Sequence, residues 1–182
     1  LTIESGEVSI KSPVAMPNGA SLIRNAGNGK EAATLTITGG KIFQDGFIAV
    51  KNDDLGILNI TGGEIGTSGD TATNTASAVQ NWGETNISGN ATVAGTVVVK
   101  RDYTNGNPTK KPKLKITGGT FDVNWAVVKS EADITIAGGN YTSAPDADFV
   151  SEDHVMIHYS IGGNDGKYYV GTPGEIQEIA NT

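Results

Sequence analysis

The chain reads as an all-β protein: a right-handed parallel β-helix solenoid of about six coils, closed by a C-terminal β-hairpin cap. Three observations carry that expectation. One six-residue phrase recurs, as LTITGG from Leu35, LNITGG from Leu58, TNISGN from Thr85, LKITGG from Leu114 and ITIAGG from Ile134, with a looser LTIESG from Leu1. A second string, SLIRN at 21–25, returns between the phrases as IAVKN (48–52), SAVQN (77–81), VVVKR (97–101) and AVVKS (126–130). The body carries no strong helical period and no long crossovers of the kind a doubly wound sheet needs. An antiparallel sandwich also has many short strands, but it does not predict two strand types recurring in one order.

Each element follows in turn. In LTITGGKI, alternation sets Leu35, Ile37 and then Ile42 inward, and Thr36 and Thr38 outward. Gly39-Gly40 supplies a corner with positive φ. Asn90 stands where the second Gly would be, as the residue that next best tolerates the left-handed region. The central isoleucines at 3, 37, 60, 87, 116 and 136 step by 34, 23, 27, 29 and 20 residues, which is solenoid spacing. Parallel crossovers favour the right hand. Six coils at about 4.8 Å each give a body roughly 29 Å long.

In the second string Ile23, Val50, Val79, Val99 and Val128 are read as inward, and Arg24, Lys51, Gln80, Lys100 and Lys129 as outward. Asn25, Asn52 and Asn81 end its first three copies, where stacked asparagines can satisfy one another's amides; Arg101 and Ser130 follow in the last two. The repeat breaks near residue 146. The reading there is a turn at 146–152, then a hairpin of 154–161 and 167–170 around GGNDG. TPGEIQEIANT has Pro173 early, Glu175 three after Thr172, and Ile176 and Ile179 at helical spacing, so it reads as a helix start or a linker into a next module. The expected division is coils over 1–145, a cap over 146–171 and the linker over 172–182. A chain that opens inside a strand phrase is expected to be a segment of a longer polypeptide.

Composition narrows the function classes. A net charge of −7 argues against nucleic acid as the main partner. With no cysteine there is no disulfide framework, zinc knuckle or thiol nucleophile to propose. No segment is apolar and long enough for a membrane span. Gly at 25 of 182 residues points to many turns. Two polar excursions leave the body, at 66–77 and at 101–113; the second carries Tyr103, Asn105, Lys110, Lys111 and Lys113. Such loops often carry binding on a solenoid, although a charged Pro-rich loop is more often simply solvated.

The ITGG-x-[IF] walls and the ending AGGNYTSAPDADFV…GKYYVG resemble modules in large surface proteins of Gram-positive gut bacteria, which are themselves similar to pectate-lyase-type right-handed parallel β-helices. The resemblance covers about residues 1–171. It implies an extracellular, bacterial cell-surface location, in a stalk or adhesin segment whose partners are flanking modules of the same polypeptide and host or plant glycans. The fold hosts lyases, hydrolases and adhesins alike, so the resemblance specifies architecture better than activity.

Lyases of that kind use clustered carboxylates for calcium with a Lys or Arg base, and the related hydrolases use a trio of Asp. Here the acids sit at Asp53-Asp54 and at Asp146, Asp148, Glu152 and Asp153, while Glu4 alone flanks a central isoleucine. His154 and His158 alternate on the cap hairpin, where a surface role outweighs a metal role. The expectation is therefore a non-catalytic module without metal or cofactor, and a lyase or hydrolase relative is the alternative. The sharper idea is a binding face on the second wall. Its outward columns are read as Phe47 and Trp125, then Leu22, Ala49, Ala78, Val98 and Val127, then the Arg24–Lys51–Gln80–Lys100–Lys129 ladder. Like charges on neighbouring strands repel, so a cationic ladder in an acidic protein is unexpected. Rings beside cations suit a sugar carrying carboxylate or sulfate. Arg24, Lys51, Lys100, Lys129, Phe47 and Trp125 are thus the candidate ligand residues. The competing reading is a covered wall whose long Lys stems shield apolar residues.

Overall fold

The structure, a computed structural model, describes residues 1–11, 20–27, 30–66, 77–101, 110–160 and 166–180. Strands follow the repeats. The first supplies β1 (Thr2–Ile3), β2 (Glu7–Lys11) and β3 (Ser21–Asn25); the second supplies β4 (Ala33–Ile37), β5 (Lys41–Asp45) and β6 (Ile48–Asn52). The third gives β7 (Gly56–Ile60), β8 (Glu64–Gly66) and β9 (Ser77–Asn81), and the fourth β10 (Glu84–Ile87) and β11 (Thr92–Val99). Then come β12 (Lys113–Ile116), β13 (Thr120–Val127), β14 (Asp133–Ile136) and β15 (Gly139–Tyr141). The chain closes with β16 (Val155–Tyr159), β17 (Lys167–Gly171) and the helix α1 (Pro173–Ala180).

The protein is mostly β, and its repeats pair in parallel. The recurring phrase builds one six-stranded sheet in the order β1-β4-β7-β10-β12-β14. Register is kept throughout, so Ile3, Ile37, Ile60, Ile87, Ile116 and Ile136 stand in one column. All but Ile3 are fully buried, and burying each such side chain stabilises by about 1.5–3 kcal/mol. The strands after the glycine corners form the line β2-β5-β8-β11-β13-β15 in a second sheet. Its inward column is Val8, Ile42, Ile65, Val93, Phe121 and Tyr141. Phe121 and Tyr141 stack with ring centroids 4.9 Å apart, so the core becomes aromatic toward its C-terminal end. Burial pushes the Tyr141 phenol far above its ordinary pKa, and its hydroxyl donates to Gly138 O at 2.7 Å.

The third line, β3-β6-β9, joins the second sheet at β11. Here the expected alignment fails in its last two copies. Val97 pairs with Val79 and Trp125 pairs with Val97, so the inward column runs Ile23, Val50, Val79, Val97, Trp125. Val99 falls opposite Asn81 and remains buried, while Val128 is 44% exposed rather than inward. The cause lies in the strands' starting points. β11 and β13 run unbroken for eight residues from the corner, with Thr92 and Thr120 in register. β5 and β6 are instead separated by Gly46 and Phe47, and the pairing of β11 with β9 shifts between Thr96 and Val97.

The corners also differ in detail. Gly40 and Gly63 hold φ of 83° and 85°, as expected of the second glycine. In the TNISGN copy Gly89, at 64°, takes the left-handed conformation instead of Asn90, and no described non-glycine residue has positive φ. Gly39 is required for closeness rather than for φ: a Cβ there would lie 2.1 Å from Glu4 O.

At the C-terminal end β17 pairs antiparallel with both β15 and β16. The hairpin matches the expected strands within a residue or two, and 161–165 of its turn lie outside the described residues. α1 begins with a capping box: the Thr172 backbone N–H donates to Glu175 Oε2 at 2.8 Å and the Glu175 N–H to Thr172 Oγ1 at 3.4 Å. The Thr172 N–H and, beside it, the Thr172 hydroxyl at 2.9 Å both donate to the Glu175 carboxyl and hold it below its ordinary pKa.

Candidate functional site

The face singled out by the sequence is the outer side of β3, β6 and β9. Alternation along β6 sends Val50 and Asn52 inward and Ala49 and Lys51 outward, yet all five β6 residues are buried. The outer face of this strand is therefore out of solvent, and Phe47, just before it, is only 8% exposed.

Under the inward side lies an asparagine ladder. Asn25 Nδ2 donates to Asn52 Oδ1 at 2.8 Å, and Asn52 Nδ2 donates to Asn81 Oδ1 at 3.0 Å. Each amide also closes backbone carbonyls of the following turn: Ala33 and Ile57 for Asn25, Gly56 and Glu84 for Asn52, and Lys113 for Asn81. This is the stacking expected from the three aligned asparagines. It pins the corner that presents the outer face.

On that face Arg24 and Lys51 are in register, and Gln80 follows. One step beyond the ladder, Asp53 N donates to Asn25 O, Trp82 N to Asn52 O and Lys100 N to Asn81 O, so Asp53, Trp82 and Lys100 stack in the next column. The charges are largely compensated. Arg24 Nε donates to Asp53 Oδ2 at 2.6 Å. Lys51 Nζ lies 3.7 Å from Asp53 Oδ1 and 4.1 Å from the centroid of the Trp82 ring. With the Lys51 and Asp53 side chains 9% and 8% exposed, the cation–π contact is largely desolvated, a setting worth about 2 kcal/mol. Among the described residues Gln80 Oε1, Trp82 Nε1 and Arg101 Nε are buried without a hydrogen-bond partner, the kind of polar atom that calls for an explanation.

The six candidate ligand residues thus separate. Arg24 and Lys51 are brought together, but by Asp53 and not by a vacancy for a ligand. Lys100 is displaced from their column: Val98 takes the place opposite Gln80, and Ala126 follows. Lys129 is further away still, in a 3-10 turn at Lys129–Glu131. Its ammonium lies 2.5 Å from Asp146 Oδ2 and 2.9 Å from Asp148 Oδ2. These hydrogen bonds, Asp146 first, raise the Lys129 pKa, and the same ammonium, with the Asp148 N–H, lowers that of Asp146. The two aromatic assignments are corrected as well. Phe47 is buried, and Trp125 occupies the inward column, 6.3 Å from Phe121 and 6.5 Å from Tyr141 between ring centroids. The ring that does stand among the cations is Trp82. Its signal was available, since Trp82 follows Asn81 as Asp53 follows Asn52 and lies two residues past Gln80 on the same side.

Two further concavities are polar. An open groove of about 680 Å³ runs over the glycine corners, lined by Glu7, Thr38, Lys41, Gly63, Glu64 and Thr92 among others. Its acids and base alternate in register as Glu7, Lys41, Glu64, and Lys41 Nζ lies 3.0 Å from Glu64 Oε2. A smaller one of about 190 Å³ holds Lys110, Lys111 and Lys113 with Asp54 and Glu84. These lysines, with Arg101 and Pro112, are the described part of the 101–113 excursion; Tyr103 and Asn105, and most of the 66–77 excursion, lie outside the described residues. Asp53, Asp146 and Asp148 face cations, and no group of three His, Asp or Glu side chains among the described residues is arranged to hold a metal. His154 Nδ1 lies 2.7 Å from Asp153 Oδ1 on the cap. Comparison with protein-family models, curated sequences and solved structures finds no match for this chain.

Proposed function

We propose that this chain is a non-catalytic stalk or display module of a bacterial cell-surface protein, built as a right-handed parallel β-helix. The observation that carries the reading is the compensation of the predicted binding wall: Arg24 and Lys51 are bound to Asp53, and Lys129 to Asp146 and Asp148. In-register stacking of like residues over six strands supports the solenoid architecture. A molecule whose repeats serve mainly to stack on one another sets a distance between whatever lies at its two ends, and flanking modules are its natural partners.

A second reading, an adhesin for acidic glycans, is favoured by one observation. Trp82 Nε1 and Arg101 Nε are buried donors without acceptors among the described residues, and Lys100, next to Arg101, is exposed; a carboxylate or sulfate that displaced what covers them would accept from them. The test is a panel of uronate, sialylated and sulfated glycans of host and plant type, read at low and high salt and also assayed for chain cleavage. The stalk reading expects neither binding nor cleavage. Salt-sensitive binding lost in an Arg24→Glu/Lys100→Glu variant establishes the adhesin instead, and release of new sugar ends would make it an enzyme.

A further inference from the structure

The smaller concavity lies where three successive turns leave the asparagine ladder: 54–57 after β6, Gly83 and Glu84 after β9, and 110–113 leading into β12. The ladder fixes its rim from beneath. Asn25 Nδ2 donates to Ile57 O, Asn52 Nδ2 to Gly56 O and Glu84 O, and Asn81 Nδ2 to Lys113 O. A Cβ on Gly56 would strike Asn52 Oδ1, and one on Gly83 would strike Asp53 O, so both positions stay bare and leave the hollow open.

The charges around it are of both signs and stay apart. Lys113 and Glu84 are register partners, as are Lys41 and Glu64, but only the second pair closes, at 3.0 Å. Among the described residues Lys110, Lys113 and Asp54 form no ion pair, and Glu84 takes only a long contact from Asn86 Nδ2 at 3.4 Å. Lys111 reaches Asp133 instead, at 3.9 Å. Apolar surface completes the lining. Leu55 and Ile57 are half-buried there, and Ile57 stands in an outward column otherwise made of Thr34, Glu84, Lys113 and Asp133.

We propose that this hollow binds one free α-amino acid with an aliphatic side chain. Its carboxylate pairs with the Lys110 and Lys113 ammoniums, its ammonium with Asp54 and Glu84, and its side chain covers Leu55 and Ile57. A zwitterion joins both sets of charges, whereas an anion alone would face the two carboxylates and a cation alone the lysines. The volume, about 190 Å³, is below the roughly 300 Å³ at which sites for drug-sized molecules begin, so the occupant is a single small molecule. Charge-assisted hydrogen bonds are the strong ones, and a rim already fixed by buried amides loses little freedom on binding. No glycan is involved, so the site stands or falls separately from the stalk reading.

Titrating the isotope-labelled chain with L-leucine, isocaproate and leucinamide, followed by amide chemical shifts at neutral pH and low salt, tests the assignment. Leucine is expected to shift the signals of 54–57, 83–84 and 110–113 saturably. Isocaproate lacks the ammonium and leucinamide the carboxylate, and each is expected to bind at least about tenfold more weakly. Asp54→Asn should weaken leucine and leave isocaproate unchanged, while Lys113→Met should weaken leucine and isocaproate and leave leucinamide unchanged. Both positions are exposed, so the circular dichroism of the variants should match wild type. No saturable shift around the hollow, equal affinity for the three probes, or leucine affinity unchanged in both variants would each overturn the proposal.

Discussion

Replacing Asn52 by Ala tests how much the buried ladder contributes. Asn52 is fully buried and takes part in four well-formed hydrogen bonds: to Asn81 Oδ1, Gly56 O and Glu84 O, and from Asn25 Nδ2. At roughly 1 kcal/mol net per bond, with more where a buried carbonyl is stranded, the substitution should cost about 3–5 kcal/mol. That is a large share of the roughly 5–15 kcal/mol that holds a domain folded. Asn59 is the internal control. It accepts from Asn86 Nδ2 at 3.1 Å on the outward face of the first sheet, half-exposed, and Asn59→Ala should stay within about 0.5 kcal/mol. Urea unfolding followed by circular dichroism reads both. With a slope of about 2 kcal/mol per molar, Asn52→Ala should lower the midpoint by about 2 M and Asn59→Ala by less than about 0.3 M. Equal shifts for the two variants, or a loss below about 1 kcal/mol for Asn52→Ala, would refute the idea that burial of the ladder gives it its weight.

Three more outcomes are expected. Gly39→Ala should unfold the corner, because its Cβ would meet Glu4 O at 2.1 Å, whereas Gly6→Ala, with φ of 91° and open space, should lose only about 1–2 kcal/mol; thermal melts distinguish them. Lys129→Met should speed amide exchange at 147–150 with little change in the β4–β7 region, since it frees Asp146 and Asp148 from the turn they anchor. The same clamp has a pH window: the lowered Asp146 pKa makes its contribution present above the ordinary carboxylate value and lost as pH falls through the folded one, while the raised Lys129 pKa makes that contribution lost only as pH climbs above about 10.4. Protection factors at 147–150, with each exchange rate divided by the intrinsic rate at the same pH, should therefore fall at the acid end of a pH 3 to 7 series.

What the sequence made legible was whatever is tied to a unique landmark. The isoleucine column was readable because each Ile precedes a glycine corner by a fixed count. The Asn25–Asn52–Asn81 ladder was readable because asparagine at the end of an apolar strand has few other uses, and Thr172 with Glu175 announced the capping box. Val97-Val98-Val99 offered no such landmark. A run of identical β-branched residues slides by one or two positions without changing its hydrophobic pattern, although one step exchanges inside for outside. Counting from the corner, with Thr92 and Thr120 aligned, would have put Trp125 inside and removed Lys100 and Lys129 from the cationic ladder. The Arg24–Asp53 pair joins residues 29 apart and depends on how one strand end stacks on the next, which no local pattern records. Asn90 misled for a similar reason: the left-handed conformation moved one residue earlier, to Gly89, where glycine accepts it without strain.

Spacing along the stack is the property from which the display reading descends, and the absence of cysteine makes it directly measurable. Thr2, Thr36, Asn59, Asn86, Lys115 and Thr135 occupy one column of the first sheet. Spin labels on cysteines introduced at Thr36 and Thr135, four strands apart, should lie about 19 Å from each other, and labels at Thr2 and Thr135, five apart, about 24 Å. Electron–electron double resonance on the two pairs should give narrow distributions separated by one strand spacing. Equal distances for the two pairs, or broad distributions without that increment, would contradict a stacked parallel module.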